Sequence, residues 1–345
     1  MTKQNIRHIS LSALEAYFAG IGEKKFRAKQ VYEWLWQKGA QSFDDMSNLS
    51  KDLRQRLFND FSLPAVSVDM QQTSADGAVK TRFKTFDGHF VEGVLIPTDE
   101  RKTACISSQI GCSLNCAFCA TGRMKRVRNL SFDEIYDEVF LINRQSEKIF
   151  GQKLSNIVFM GMGEPLLNYS NVIKAVERIS AEDGLAMSPR RITVSTAGIA
   201  KTIKKLGDDG AKFKLAISLH AANDAKRSEI MPVNESNNLA MLVDSINYYY
   251  KKTKQPVTFE YIMFHNFNDS LKDAAELVKI YRRVPADLVN LIEYNPIDKS
   301  NFTKPADEKI DEFVHYLEAQ KVNVRRRFSR GKDIDAACGQ LANKD

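Results

Sequence analysis

Four of the five cysteines in this 345-residue chain fall within residues 105–119, in the run C-I-S-S-Q-I-G-C-S-L-N-C-A-F-C. Cys112, Cys116 and Cys119 are spaced C-x3-C-x2-C, close enough for three thiolates to converge on one metal centre. Cys105 stands seven residues upstream, on a segment that reads as a strand. Three thiolates on a cubane iron-sulfur cluster leave one iron with an open coordination position, and an open position separates a reactive metal site from a closed structural one. A four-cysteine zinc knuckle is the competing reading, but zinc sites take their ligands as two tight pairs, a pattern this run lacks.

Other residues with chemical potential sit where strands end. Residues 157–160 read as a strand that runs into Gly161-Met162-Gly163-Glu164-Pro165. Glycines allow close backbone approach, and carbonyls exposed on such an edge accept hydrogen bonds from the ammonium of a bound amino acid. Glu164 either binds an amine or is an ordinary charged residue of the turn. Ser195 and Thr196 either cap the next helix or touch ribose or carboxylate. Ser218, Leu219 and His220 end a fourth strand, and Asn295 follows a sixth, as an adenosine contact or a turn former before Pro296. His220 reads as structural or cofactor-contacting, since the chemistry needs no base there. Glu92 interrupts the apolar run at residues 90–96, either as an edge charge facing water or as a partly buried acid suited to handling a proton. Cys338, the fifth cysteine, is either an exposed thiol in a polar tail or a reactive one in a tail that folds back over the site.

The elements that must position these residues follow from periodicity and punctuation. Residues 1–61 read as a helical accessory domain, with one helix over 26–38 ending at Gly39 and candidate caps at Ser42 and Ser50. Trp34 and Trp36 serve as core or as base-stacking surface. Residues 62–98 form a small antiparallel β linker, three strands broken by Asp76-Gly77 and Asp87-Gly88. From 99 to 330 strands alternate with helices, which favours a parallel sheet with right-handed crossovers. Six such units predict an α/β open partial barrel with its site at the C-terminal ends of the strands. Residues 331–345 make a C-terminal tail that carries Cys338.

Fifty basic against forty-three acidic residues give a formal charge of +7. The excess clusters at Arg123, Lys125, Arg126 and Arg128, at Arg190 and Arg191, and at 325–332, where it suits a polyanionic substrate or an ordinary solvated face. No apolar run reaches the length of a membrane span, and the N-terminus lacks the apolar core of a signal peptide. The expected location is cytoplasmic, where thiols stay reduced and clustered cysteines bind metal or react.

The cysteine run, placed after a strand and followed by Ala120-Thr121-Gly122, resembles the cluster loop of the radical S-adenosylmethionine superfamily. Together with G-M-G-E-P-L-L-N at 161–168 and D-I-D-A-A-C-G-Q-L at 333–341, it resembles the radical S-adenosylmethionine adenine methyltransferases of ribosomal RNA, the RlmN and Cfr group, over nearly the whole chain. The resemblance implies a (β/α)6 radical SAM barrel with one 4Fe-4S cluster on Cys112, Cys116 and Cys119. S-adenosylmethionine would chelate the fourth iron and touch Gly163, Glu164, Ser195, Ser218, Leu219, His220 and Asn295. Two molecules are implied per turnover: one methylates Cys338, and the other, cleaved reductively, gives a 5'-deoxyadenosyl radical that takes hydrogen from that methyl, so that a carbon radical adds to adenine. Cys105 is implied as the thiol that resolves the adduct, with a disulfide bond among the expected features, and Glu92 as proton acceptor. A radical route also answers a physical objection, because carbon 2 of adenine is not nucleophilic and polar transfer from a sulfonium would be poor.

Residues 163–168 resemble the housekeeping branch, which implies methylation of carbon 2 of an adenosine in the peptidyl transferase centre of 23S rRNA and of an anticodon-loop adenosine in tRNA. Carbon-8 methylation, as in the resistance branch, is one alternative, and a non-enzymatic metal-containing RNA-binding protein is another. A one-electron reductant of the flavodoxin or ferredoxin type and a monomeric state complete the expectations. Residues 325–331 are longer than the usual approach to the terminal motif.

Overall fold

The computed structural model describes residues 3–344. The first unit holds α1 (Leu11–Gly20), α2 (Phe26–Glu33) and α3 (Lys51–Asp60), and the two-residue strands β1 (Gln4–Asn5) and β2 (Phe61–Ser62) pair in parallel to tie its start to its end. Ser10 and Ser50 cap α1 and α3 by accepting from Ala13 N and Leu53 N. Ser42 forms the predicted capping box with Asp45 around a single short turn. One wide π turn, Trp34–Lys38, extends α2 to Gly39, whose left-handed φ of 68° ends it as the sequence predicts. A Cβ there would fall 2.1 Å from the Phe140 ring.

This unit docks on α4 (Phe132–Phe150), whose start carries the Ser131–Glu134 capping box. Trp36 is buried between Phe132 and Tyr136, which makes it core, while Trp34 is half-buried with Nε1 donating to Asn48 Oδ1. Arg7, also buried, donates to Asp137 Oδ2 of α4 at 2.6 Å and to Ala40 O at 3.2 Å, and the same carboxylate oxygen accepts from Val66 N at 3.0 Å. Burial pushes the Asp137 carboxyl up and the Arg7 guanidinium pulls it back.

The rest is organised by one ten-stranded sheet, in the order β14-β13-β12-β11-β10-β9-β6-β5-β4-β3. Its antiparallel part comprises β3 (Ser67–Thr73), β4 (Val79–Lys84) and β5 (Phe90–Pro97), turned at Gly77 and Gly88, whose φ values of +83° and +82° explain the two Asp-Gly signals. The stretch read as a linker continues the barrel's own sheet, because β5 pairs antiparallel with β6 (Lys102–Cys105). From β6 the chain alternates: β7 (Gln109–Ile110), β8 (Arg128–Asn129), α4, β9 (Asn156–Phe159), α5 (Tyr169–Ser180), β10 (Ile192–Thr196), α6 (Ala200–Asp208), β11 (Lys214–Ser218), α7 (Asp224–Ile230), α8 (Leu239–Thr253), β12 (Val257–Met263), α9 (Leu271–Arg283), β13 (Ala286–Glu293), α10 (Asp307–Ala319) and β14 (Val324–Arg327). Strands β6 and β9 to β14 are parallel neighbours throughout, so six helical crossovers join seven strands, one beyond a (β/α)6 count.

Period-two alternation sorts the strands' two faces. Val194, Leu215 and Ile217 are buried outside the barrel's cavity, while Ser195 and Ser218 line it. Glu92 lies in the middle of the sheet, on β5 between β4 and β6, and is 1% exposed, so the reading as an edge charge facing water does not hold.

Arg7→Ala leaves Asp137 buried without its cation. The expected cost is about 3 kcal/mol or more, seen as a lower midpoint in urea unfolding, and Arg7→Met with Asp137→Asn recovers part of it.

Candidate active site

The cysteine loop leaves the sheet after β6 and is pinched at its base by the antiparallel pair β7 and β8. Gly111 (φ +72°) lies so close to the returning strand that a Cβ would sit 2.4 Å from Lys125 O. Gly122 packs on the backbone of Cys116, where a Cβ would meet N and O each at 3.0 Å. Cys119 N donates to Cys116 O at 3.2 Å, and Ala117 N reaches Ile230 O at the end of α7 at 2.9 Å. The loop is shaped largely by backbone contacts, to which Arg123 Nη2 adds a bond to Ala117 O at 3.4 Å.

A cavity of about 530 Å³ fills the barrel interior, and all five cysteines line it. Among the described residues, no three His, Cys, Asp or Glu side chains sit close enough to ligate a single metal ion. A cubane is held by thiolates that each bind a different iron, so its three ligands need not converge on one point. Burial pushes the Cys112 thiol up to about 11 and those of Cys116 and Cys119 up as well, and Cys119 and Cys112 raise Cys116 further by repulsion. Three such thiolates persist together only around a cationic centre. The donor set fits a cluster.

The strand-end residues divide into those on the cavity wall and those behind it. Gly163, Glu164, Ser195, Ser218 and His220 line the cavity; Leu219 and Asn295 do not. Gly163 has φ +94° and presses on Gln109, where a Cβ would fall 2.5 Å from that residue's Cβ. Glu164 is buried, and its two oxygens accept from Leu166 N at 3.0 Å and Ala197 N at 2.8 Å, so it fastens the turn after β9 to the end of β10. Ser195 and Ser218 face each other across neighbouring strands at 3.2 Å. His220 Nδ1 accepts from Ile262 N at 3.1 Å, and burial holds its pKa down to about 3, so the ring is neutral with its proton on Nε2. Leu219 is held at the strand end by its backbone, with N donating to Glu260 O at 3.0 Å. Asn295 Nδ2 holds Ser329 Oγ at 2.9 Å and Cys338 O at 3.1 Å, and its buried Oδ1 has no partner among the described residues.

The tail does fold back. Ala120 N, in the cysteine loop, donates to Gly339 O at 2.7 Å, and Thr121 Oγ1 donates to Leu341 O at 2.6 Å. This brings Cys338 into the cavity that Cys105 enters from the end of β6. All five cysteines are free thiols, so the expected disulfide bond is absent. Burial raises both the Cys105 and Cys338 thiols, and Arg327 pulls each back. Glu92 is not on the cavity wall: its Oε2 accepts from Ala342 N at 2.9 Å and Asn343 N at 3.1 Å, behind the tail.

Much of the basic excess is used internally. Arg128 pairs with Asp87 and Glu134, each at 2.7 Å, Arg326 with Glu293, Asp307 and Asp311, and Lys332 with Glu293 at 2.9 Å. Three residues at the site escaped the sequence reading. Glu260, which pairs with Arg327 at 3.2 Å inside the cavity, interrupts an apolar strand as Glu92 does, and the same signal would have found it. Arg227 is fully buried in α7 and donates to Ala197 O at 2.6 Å, Ser218 O at 3.3 Å and Leu219 O at 3.1 Å, stapling two strand ends; no local pattern marks it. Phe328, 70% exposed at the cavity rim, stands out only once the barrel is built.

Residues 4–63 match the family described as the ribosomal RNA large subunit methyltransferase N-terminal domain, and residues 106–278 match the radical SAM superfamily. The chain is 53% identical over 343 residues to a probable dual-specificity RNA methyltransferase RlmN of Cytophaga hutchinsonii, covering 99% of this chain and 94% of that one. It is 42% identical over 344 residues to the dual-specificity RNA methyltransferase RlmN of Geotalea uraniireducens, covering 100% and 98%. Among solved structures, a radical SAM methyltransferase from Sphaerobacter thermophilus superposes with a TM-score of 0.93 at 37% identity, covering 99% of this chain and 100% of that one.

Two outcomes test this geometry. Gly122→Ala should lower iron and sulfide per chain after anaerobic reconstitution, because the added methyl displaces the Cys116 backbone, while far-UV circular dichroism stays unchanged. The second concerns His220, which folds neutral with its pKa lowered from 6.5 to about 3. Below pH 6.5 the unfolded chain binds a proton that the folded one refuses, so stability falls as pH drops toward 3, by up to ~1.4 kcal/mol per unit from this group. His220→Gln, which keeps an acceptor for Ile262 N, should flatten that acid-side slope by about one proton in urea titrations.

Proposed function

The chain belongs to the RlmN family of dual-specificity RNA methyltransferases within the radical SAM superfamily, and from that membership we propose that it methylates carbon 2 of an adenosine in the peptidyl transferase centre of 23S rRNA and of an anticodon-loop adenosine in tRNA. The observation that carries this reading is the meeting of five free cysteines, from three stretches of chain, in one cavity.

Cys112, Cys116 and Cys119 would hold one 4Fe-4S cluster. Gly163, Glu164, Ser195, Ser218 and His220 bind S-adenosylmethionine from the cavity wall, with Leu219 acting through its backbone and Asn295 through its unpaired Oδ1. When bound, the cluster supplies one electron to a sulfonium and so a carbon radical able to take hydrogen from an S-methyl group. Cys338 is the methyl acceptor: its sulfur forms the new S–C bond as the donor's C–S bond breaks, and S-adenosylhomocysteine leaves with the electron pair. Arg327 favours the thiolate that this step needs. A second S-adenosylmethionine is used in each turnover. Cys105, on the same cavity, resolves the covalent adduct with the base. Glu92 has an oxygen, Oε1, that accepts no hydrogen bond and lies 3.7 Å from Lys80 Nζ, the position at which it would take a proton.

The reductant in this reading is a flavodoxin- or ferredoxin-type protein, and the enzyme works as a monomer in the cytoplasm, where its thiols stay reduced. No helix among the described residues is long and apolar enough to cross a membrane.

Cys338→Ala should abolish RNA methylation while keeping a full complement of iron, since this thiol lies outside the three-ligand loop; repeated turnover by that variant would sink the assignment. Cys105→Ala should accumulate RNA-linked protein, visible as a shifted band that ribonuclease removes. Mass spectrometry of rRNA after reaction with labelled S-adenosylmethionine should find the label on carbon 2 of one adenosine.

A further inference from the structure

After Lys332–Ile334 the chain forms no further helix or strand among the described residues, yet it is firmly held. Most of the contacts that hold it are neutral: Thr121 Oγ1 to Leu341 O at 2.6 Å, Gln340 Nε2 to Pro296 O at 3.0 Å, and Asn343 Nδ2 to Phe90 O at 2.8 Å. The Glu92 contact is different. This carboxylate sits in the middle of β5 beside Lys80 of β4, and both side chains are at most 5% exposed. Its Oε2 accepts two successive backbone N–H groups, of Ala342 and Asn343, at 2.9 and 3.1 Å. Hydrogen bonds to an ionised acceptor are about twice as strong as neutral ones. A buried carboxylate that binds main chain holds the tail whatever its side chains are.

Cys338 lies only four residues before the first of these amides. Because an extended chain spans at most ~3.5 Å per residue, a tail fixed at Ala342 limits how far the thiol travels when the neutral contacts at Cys338, Gly339 and Leu341 open transiently, and a tail released there loses that limit. Lys344 adds surface pairs to Asp298 at 2.9 Å and Asp335 at 3.1 Å, but these are exposed and worth little.

We propose that Glu92 is a positioning residue: its Oε2 latches the tail through the amides of Ala342 and Asn343 and so keeps Cys338 facing Cys105 and the cysteine loop. This role is separate from proton acceptance at Oε1, and its bearing on catalysis rests on the reading of Cys338 as methyl acceptor.

The test follows alkylation of Cys338 by N-ethylmaleimide in the anaerobic holoenzyme, by peptide mass spectrometry, alongside the formation of S-methyl-Cys338 from S-adenosylmethionine. Glu92→Ala strands Lys80 and invites misfolding, so the informative variants are Lys80→Met with Glu92→Leu, which replaces the buried pair by apolar side chains, and truncation after Leu341, which leaves the pair intact. Both should raise the alkylation rate at least about tenfold, the equivalent of one charge-assisted hydrogen bond, and slow S-methyl-Cys338 formation. Lys344→Ala should stay near wild type. Unchanged alkylation in both latch variants, or an equal rise in Lys344→Ala, overturns the latch. Absence of S-methyl-Cys338 in the wild type overturns the methyl-acceptor reading and leaves the alkylation result standing.

Discussion

The ten-stranded sheet curls into a barrel without closing, and its two edges, β14 and β3, are left to be joined by something other than strand pairing. Residues 328–333 do so. They run from the end of β14 to the β3–β4 turn, where Arg330 Nη1 donates to Asp76 O at 3.0 Å, Gly331 N donates to Asp76 Oδ2 at 2.9 Å, and Asp333 accepts from Ser74 Oγ at 2.5 Å and Ala75 N at 3.0 Å. Everything after this crossing, Cys338 included, reaches the cavity because the seam is bridged. The antiparallel meander thus supplies the far anchor of the strap, and its fusion to the parallel strands is what puts that anchor in range.

The same crossing explains where the positive charge goes. A basic run at 325–332 would repel itself if it only faced solvent, and instead two buried carboxylates organise it. Glu293 takes Lys304, Arg326 and Lys332, while Glu260, itself held by Asn290 Nδ2 at 2.8 Å, takes Arg327. Cation placement at the thiols is therefore fixed by acids on β12 and β13, the two strands that follow β14 in the sheet order.

The sequence is readable here in proportion to how local the cause is. Caps at Ser42 and Ser50, the stop at Gly39 and the Asp-Gly turns depend on a few adjacent residues, and each forms as its pattern predicts. Strand ends were legible too, because barrel geometry sends chemistry to one end of the strands. What the pattern left open is what covers a strand from a distance. Glu92 reads as an edge charge only if no chain covers it, and the covering chain lies some 250 residues away, at Ala342. Arg227 and Leu219 are the same case: their parts lie in backbone groups of other strands, and no spacing records those.

The β7–β8 pinch closes the base of the cysteine loop within residues 109–129, whereas Cys338 follows Cys119 by 219 positions in the chain. At ribosomal elongation rates that separation is on the order of ten seconds or more. During that interval the nascent chain carries the cysteine loop while the strands from β9 to β14 are still being added. The strap and the thiol it carries are thus the last parts of the cavity to be made, after every strand that walls it.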